Sequence, residues 1–392
     1  MRELTLLGKN KLKWVEKEDP KINKKREAII RPIVSSRCDG DSLFLFHNYS
    51  DLIKIGAKLH YLDPRIFETF GKNPIKPPFC VGHECIGEVT EVGEDVKNFK
   101  QGDIVVVPWA ISCGECKTCE DGFHSNCNNT EDDTVISAYG FGHSSADYGG
   151  TMSDLLKIPF ADAMLIKLPE DINPYFCSAL SDNISDAYRT IVPHIQNNPQ
   201  APVLVIGGSA QSIGLYAVYF AKIFGSSRVD YVDQSVNRLK IAETLGANPI
   251  KVDKNTKFDT FHKSLLKDGY PITVDCSAEE PKLNLAIRSL ASGGFCTSTA
   301  FYLKKGTKMP LWEMYTRSAT FHIGVSHPRR DIPAILPLIQ SKVFQPEKVI
   351  TVSADWEDAE EAYLEKTTKL VVKRNPIFEK NIKLFKENNW IT

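Results

Sequence analysis

Residues 203–225 read VLVIGGSAQSIGLYAVYFAKIFG. Val203 to Ile206 form a short apolar run of the kind that is buried on both faces in a parallel sheet, and IGLYAVYFAKIFG continues it with helical length. Between them Gly207 and Gly208 open a turn. A helix starting near Gly214 then presents free backbone N–H groups and its positive end to an anion, typically a pyrophosphate. RVDYVD follows and ends on Asp233, nineteen residues beyond Gly214. A carboxylate there accepts hydrogen bonds from an adenosine ribose and repels the 2′-phosphate of NADP. The turn is not a plain G-x-G-x-x-G: either two residues are inserted after Gly207, or Ser209 and Gln211 replace two glycines. The reading is an NAD site in which Gly207, Gly208, Ser209, Ser212, Ile213 and Asp233 touch the cofactor.

Working outward, strand and helix patterns alternate from about Asp182: VLVIGG, IGLYAVYFAKIFG, RVDYVD, VNRLKIAETLGA, ITVDCSA, LNLAIRSL and GGFCTSTA. Strands separated by single helices make βαβ units and a parallel sheet. Upstream, from Ala28 to Gly150, short β-branched runs such as AIIRPIVSS, IGEVTEV and DIVVVP are broken by Gly and Pro, which predicts a compact β-rich unit. Between Ser42 and Pro78, apolar residues at helical spacing predict one or two helices.

The chain has 392 residues, 42% hydrophobic and 25% charged, the composition of a globular protein. Lys+Arg 48 against Asp+Glu 49 gives a net charge of -1 without basic runs, which argues against a nucleic-acid partner. The N-terminal MRELTLLGKNKLKWVEKEDP lacks the apolar core of an export signal, so a cytoplasmic location is expected. The uncharged run from Gln200 to Ala221 has the length of a membrane span, but its interior GGSAQS reads as a turn, so no membrane partner is expected.

In a reducing compartment the 10 cysteines are expected to be thiols or metal ligands. CGECKTCEDGFHSNC places Cys113, Cys116, Cys119 and Cys127 as C-x2-C-x2-C-x7-C. Four thiolates bind Zn2+ tetrahedrally with no position left for a substrate. The expectation is a structural zinc that folds a polar lobe, residues 112–128; two disulfides or free loop thiols are the alternative.

A third constellation is Cys38, His83 and Asp182. A thiolate, an imidazole and a carboxylate bind zinc with a fourth position open, as catalysis requires. Each alone has a duller explanation: a small buried apolar group, a hydrogen-bonded core histidine, a helix N-cap.

With VSSRCDGD at the first of these, GHECIGEVTEVGEDVKNFKQGDIVVVP at the second, SALSDNISDAYRT at the third, and the cysteine lobe and glycine turn in order, the chain resembles the zinc-containing medium-chain alcohol dehydrogenases. The resemblance implies an α/β protein. A GroES-like β-rich catalytic domain would be built from residues 1–181 and 326–392, with a Rossmann doubly wound parallel-sheet domain, 182–325, between them. It implies Cys38, His83 and Asp182 as catalytic zinc ligands, with Glu84 beside the metal as a transient ligand. Asp182 stands where many members have cysteine and several subfamilies aspartate. Asp41 would receive the imidazole N–H of His83. Arg238 would approach the adenosine ribose, Lys369 would face the pyrophosphate, and Cys276 and Ser277 would line the cofactor cleft.

The implied activity is reversible oxidation of a small-molecule alcohol to an aldehyde or ketone, with one catalytic and one structural zinc per chain, NAD, and a homodimer or homotetramer. Polyol or aldehyde turnover, or NAD and zinc binding without turnover, are the alternatives. Two departures stand out. Gly40 occupies the position of the proton-relaying Ser or Thr, leaving Ser42, His47, an ordered water or a cofactor ribose hydroxyl as candidates. Asp39 stands where a neutral or basic residue is usual. The spacing of 45 positions from Cys38 to His83 is also long, and the intervening helices are expected to cap the substrate cleft.

Overall fold

Near-continuous burial along AIIRPIVSSR makes β3 (Ala28–Arg37) a central strand. It follows a hairpin of β1 (Arg2–Gly8) and β2 (Lys11–Glu16), which pairs through β1 with β4 (Phe79–Cys80) in a three-stranded sheet. β3 runs antiparallel to β5 (Glu84–Val92), and the sheet continues through β6 (Ile104–Val107) to β8 (Ile166–Lys167), while β7 (Leu156–Ile158) also pairs with β3. In the β3–β5 register Ser36 lies opposite Glu84, which sets the chain after the end of β3 beside the chain before the start of β5. That register alone brings Cys38 next to His83.

The computed structural model describes residues 1–130 and 136–391 and divides into two units. The first is Met1–Ser185, His327–Gln340 and Ile350–Thr392; the second is Asp186–Ser326 with Ser341–Val349. Between β3 and β4 the first unit holds three short helices rather than one or two: α1 (Ser42–Leu45), α2 (Tyr49–Lys58) and α3 (Ile66–Phe70). Pro64 and Gly71 flank the last and keep it short. α4 (Asn183–Asn197) follows Asp182.

The second unit is an all-parallel six-stranded sheet in the order β11-β10-β9-β12-β13-β14. Its strands are β9 (Val203–Ile206), β10 (Val229–Asp233), β11 (Asn248–Lys251), β12 (Tyr270–Asp275), β13 (Leu290–Ser298) and β14 (Thr320–Ile323). Read from the first strand, this is the doubly wound order 3-2-1-4-5-6, whose ligand crevice opens at the carboxyl ends of strands 1 and 4, here β9 and β12. β9 is buried on every residue, and α5 (Gln211–Ile223) returns over it with buried side chains from Ser212 to Ala221. α6 (Val236–Thr244) follows β10, capped by the Ser235 hydroxyl, and α7 (Leu311–Arg317) precedes β14.

The C-terminal return completes the first sheet. After α8 (Pro328–Gln340), β15 (Val352–Asp355) runs parallel to β16 (Leu370–Lys373), which pairs antiparallel with β3 so that Leu370 lies opposite Arg37. α9 (Glu379–Glu387) packs Phe385 into this unit and hydrogen-bonds Asn381 to Glu88 at 2.8 Å.

The structure divides the chain differently from the expected scheme in three places. The first junction falls at Ser185/Asp186, leaving Asp182 with the β-rich unit, and the second at Ser326/His327. Ser341–Val349 belongs to the parallel-sheet unit because Phe344 stacks on Phe220 of α5, with ring centroids 4.4 Å apart, and packs against Tyr216 and Tyr219. Among the described residues no helix is long and apolar enough to cross a membrane.

Candidate active site

Cys38 leaves β3, His83 enters β5 and Asp182 precedes α4, and the ligand atoms of the three lie within 4.8 Å of one another. Cys38 Sγ is 3.3 Å from Asp182 Oδ2, and His83 Nε2 is 3.5 Å from the same oxygen. Gly82 shapes the approach: its φ is +92°, and a Cβ would stand 2.7 Å from Thr151 Oγ1. The His83 ring stacks on Phe141 at 4.9 Å. His83 Nδ1 faces Asp41 Oδ1 at 3.3 Å without a hydrogen bond between them, and Asp41 Oδ2 accepts the Cys38 N–H.

The donor set fits zinc. Cys38, Asp39, Asp41, His83 and Glu84 are all buried, and negative groups dominate. Burial, then Asp182, Glu84, Asp41 and Asp39, push the Cys38 thiol well above its usual range. Burial pushes Asp41 up to about 6. Burial opposes a proton on His83, yet Asp41 and Asp182 outweigh it and hold the imidazole at about 9. A divalent cation on these three atoms would displace the imidazole proton and favour the thiolate that burial opposes, so the donor chemistry is compatible with one. Gly40 N and Asn183 Nδ2 point at the Cys38 sulfur, at 3.4 and 3.7 Å, and these contacts favour its thiolate.

Glu84 and Lys369 are partners in this structure. Glu84 is outside the three-residue ligand group: Oε2 accepts from Ser36 Oγ at 2.7 Å and from Lys369, and Oε1 from the Asn183 N–H at 3.1 Å. Lys369, which the resemblance set beside a pyrophosphate, lies in the β-rich unit. It is fully buried, and its ammonium is held by Glu84, Asn183 Oδ1 at 3.1 Å and the Arg37 carbonyl at 3.3 Å. The cause is the β16–β3 pairing, which sets Lys369 against the end of β3 beside Arg37. Asp39 is buried as well, its carboxylate 3.5 Å from Asn183 Nδ2. Gly40 offers no hydroxyl; Ser42 is half-buried and His47 exposed.

Cys113, Cys116, Cys119 and Cys127 gather their sulfurs within 4.8 Å. Cys116 and Cys127 stand 3.9 Å apart, and all ten cysteines are free thiols. Backbone N–H groups of Cys113 and Asn129 point at Cys127 Sγ, and that of Glu115 at Cys113 Sγ, the surroundings thiolates need. Burial works against ionising Cys116, but the N–H groups of Asn128 and Cys119 bring it down to about 6.

In the second unit the helix after the glycine turn begins at Gln211, three residues before Gly214. Gly207 is required by close approach: a Cβ would lie 2.3 Å from Asp233 Oδ2 and 2.6 Å from the Tyr231 hydroxyl. At Gly208 it would lie 2.5 Å from Ser277 Cα, and Ser209 Oγ donates to Ser277 O at 3.2 Å. Ser212 and Ile213 are buried in the first turn of α5. Cys276 directly follows β12. It is fully buried beside Gly214, and its backbone supports the turn by accepting the Ala210 N–H. Ser277 is buried too, its hydroxyl bound to Asp275 at 2.6 Å.

The alcohol dehydrogenase GroES-like domain family matches residues 47–170, and the zinc-binding dehydrogenase family matches residues 212–341. An uncharacterized zinc-type alcohol dehydrogenase-like protein of Bacillus subtilis is 24% identical over 391 residues, spanning 93% of this chain and 96% of that protein. The chain belongs to the zinc-containing medium-chain dehydrogenase family. D-xylulose reductase A of Aspergillus oryzae is 27% identical over 315 residues, covering 79% of this medium-chain dehydrogenase and 82% of the reductase. The solved alcohol dehydrogenase of Thermus sp. ATN1 superposes with a TM-score of 0.79 at 25% identity, covering 95% of this chain and 99% of that one.

In this medium-chain dehydrogenase, sequence reasoning missed Asn183, which contacts Cys38, Asp39, Glu84 and Lys369 together, and Ser36, which binds Glu84. Asn183 was findable as the neighbour of Asp182. Ser36 carries no signal beyond its place in a strand.

Proposed function

We propose that this medium-chain dehydrogenase is a zinc-dependent oxidoreductase that passes hydride between a small-molecule alcohol and NAD. The convergence of Cys38, His83 and Asp182, three ligand types from three distant segments, carries the reading. Those three side chains would hold the catalytic zinc, the four lobe cysteines a structural one, and the β9–α5 turn the dinucleotide. When bound, zinc supplies the Lewis acidity that lowers the pKa of a substrate hydroxyl and the nicotinamide supplies the hydride acceptor. Asp41, whose Oδ1 stands 3.3 Å from His83 Nδ1, would orient the ring with zinc bound and leave Nε2 for the metal side. The Glu84–Lys369 pair and Asn183 form a buried floor that keeps Cys38 and Asp182 in place.

A polyol is the second reading for the substrate, supported by the likeness to D-xylulose reductase A. We propose self-association as a dimer or tetramer, supported by the more than half-exposed Leu311, Trp312 and Tyr315 of α7. A cytoplasmic location is supported by the ten free thiols. Measuring NADH absorbance with a panel of alcohols and polyols tests the activity. Cys38→Ala should abolish turnover with the fold intact, and turnover retained in that variant would refute the reading.

A further inference from the structure

The carboxylate of Asp233, expected to wait for a ribose, is already surrounded. Its Oδ1 accepts from Arg238 Nη2 at 2.7 Å and the Ser235 N–H at 2.8 Å; its Oδ2 accepts from Arg238 Nε and the Tyr231 hydroxyl, both at 2.7 Å. Arg238 in turn donates from Nη1 to Gln211 Oε1 at 2.8 Å. All three nitrogens of the guanidinium are thereby tied, two to Asp233 and one to the first residue of α5. Tyr231 is fully buried, and its hydroxyl lies beneath Gly207, where a Cβ would come within 2.6 Å of it.

We infer that Gln211 and Tyr231 decide between NAD and NADP by holding Arg238 closed on Asp233. This rests on the dinucleotide reading of the turn. A planar guanidinium recognises phosphate by turning a pair of N–H groups toward it. Here the bidentate pair with Asp233 occupies one edge, and Gln211 fixes the remaining terminal nitrogen. Turning toward a 2′-phosphate would break at least one of these bonds. Leaving Asp233 would also take the ionic partner from a carboxylate whose side chain is 1% exposed, leaving it the Tyr231 hydroxyl and the Ser235 N–H alone, which is costly. An unphosphorylated ribose makes no such demand. Gln211 is one of the two residues that can stand in place of glycines in this turn, and its side chain reaches from the turn to Arg238. Tyr231 acts on the acid instead, its buried hydroxyl donating to Asp233 Oδ2.

The test is calorimetric titration of the full chain with ADP-ribose and with 2′-phospho-ADP-ribose, alongside kcat/KM for NAD and NADP. The wild type should prefer the unphosphorylated ligands. Gln211→Met and Tyr231→Phe should each reduce that preference by about tenfold, the worth of a hydrogen bond to a charged group, while Gln211→Glu, which keeps an acceptor, should retain it. A wild type that binds both ligands equally would refute the NAD reading itself. A wild type that prefers ADP-ribose, with the ratio unchanged in Gln211→Met and Tyr231→Phe, would overturn the inference alone.

Discussion

Lys369 and Glu84 form an ion pair with no solvent exposure on either side chain, 285 positions apart in the chain, directly behind the Cys38–His83–Asp182 group. Removing one partner strands the other charge in a dry interior, so Lys369→Met should destabilise the protein by about 3–5 kcal/mol, and adding Glu84→Gln should recover part of that loss. Denaturant unfolding of the two variants checks it.

Gly82 holds His83 at the start of β5 with φ +92° and no room for a Cβ beside Thr151 and Tyr363. Gly82→Ala should cost about 1–3 kcal/mol in unfolding experiments and displace the imidazole from its partners. A variant as stable as the wild type would show that the turn can rearrange.

Replacing Cys116 with serine leaves three thiolates in the lobe. Zinc measured by mass spectrometry should fall by about one ion per chain, and limited proteolysis should cut within the lobe, because its polar residues cannot fold it alone. Chelation of the wild type should expose the same cleavage sites.

Burial pushes the Asp233 carboxyl up, but Arg238, the Ser235 N–H and the Tyr231 hydroxyl more than offset it, so its folded pKa lies below the usual value. A depressed acid stabilises the fold where it is ionised. The advantage of the wild type over Asp233→Asn should therefore be full above about pH 4, the unfolded carboxylate value, and shrink as pH falls through the lower folded one. Thermal melts of both proteins between pH 3 and pH 7 measure it.

The reading from sequence succeeded where chemistry is written in residue type at short range. The four lobe cysteines and the strand, turn and acid from Val203 to Asp233 announce themselves locally, and Cys38, His83 and Asp182 each sit in a distinctive stretch. It fell short where a partner is chosen by pairing of distant strands. Nothing in TTKLVV says that β16 will lie against β3 and turn Lys369 toward Glu84. Nor does RVDYVD say that Tyr231 and Arg238 will occupy both oxygens of Asp233. The segment 341–349 was misassigned for the same reason, since only the three-dimensional stack on Phe220 reveals where Phe344 belongs.

The central claim is that Cys38, His83 and Asp182 share one zinc ion. Anomalous diffraction at the zinc absorption edge tests it most directly. A peak should lie roughly 2.0–2.3 Å from the Cys38 sulfur, His83 Nε2 and an Asp182 oxygen, with a second among the four lobe sulfurs. Zinc-loaded crystals with density in the lobe but none between those three side chains would contradict it.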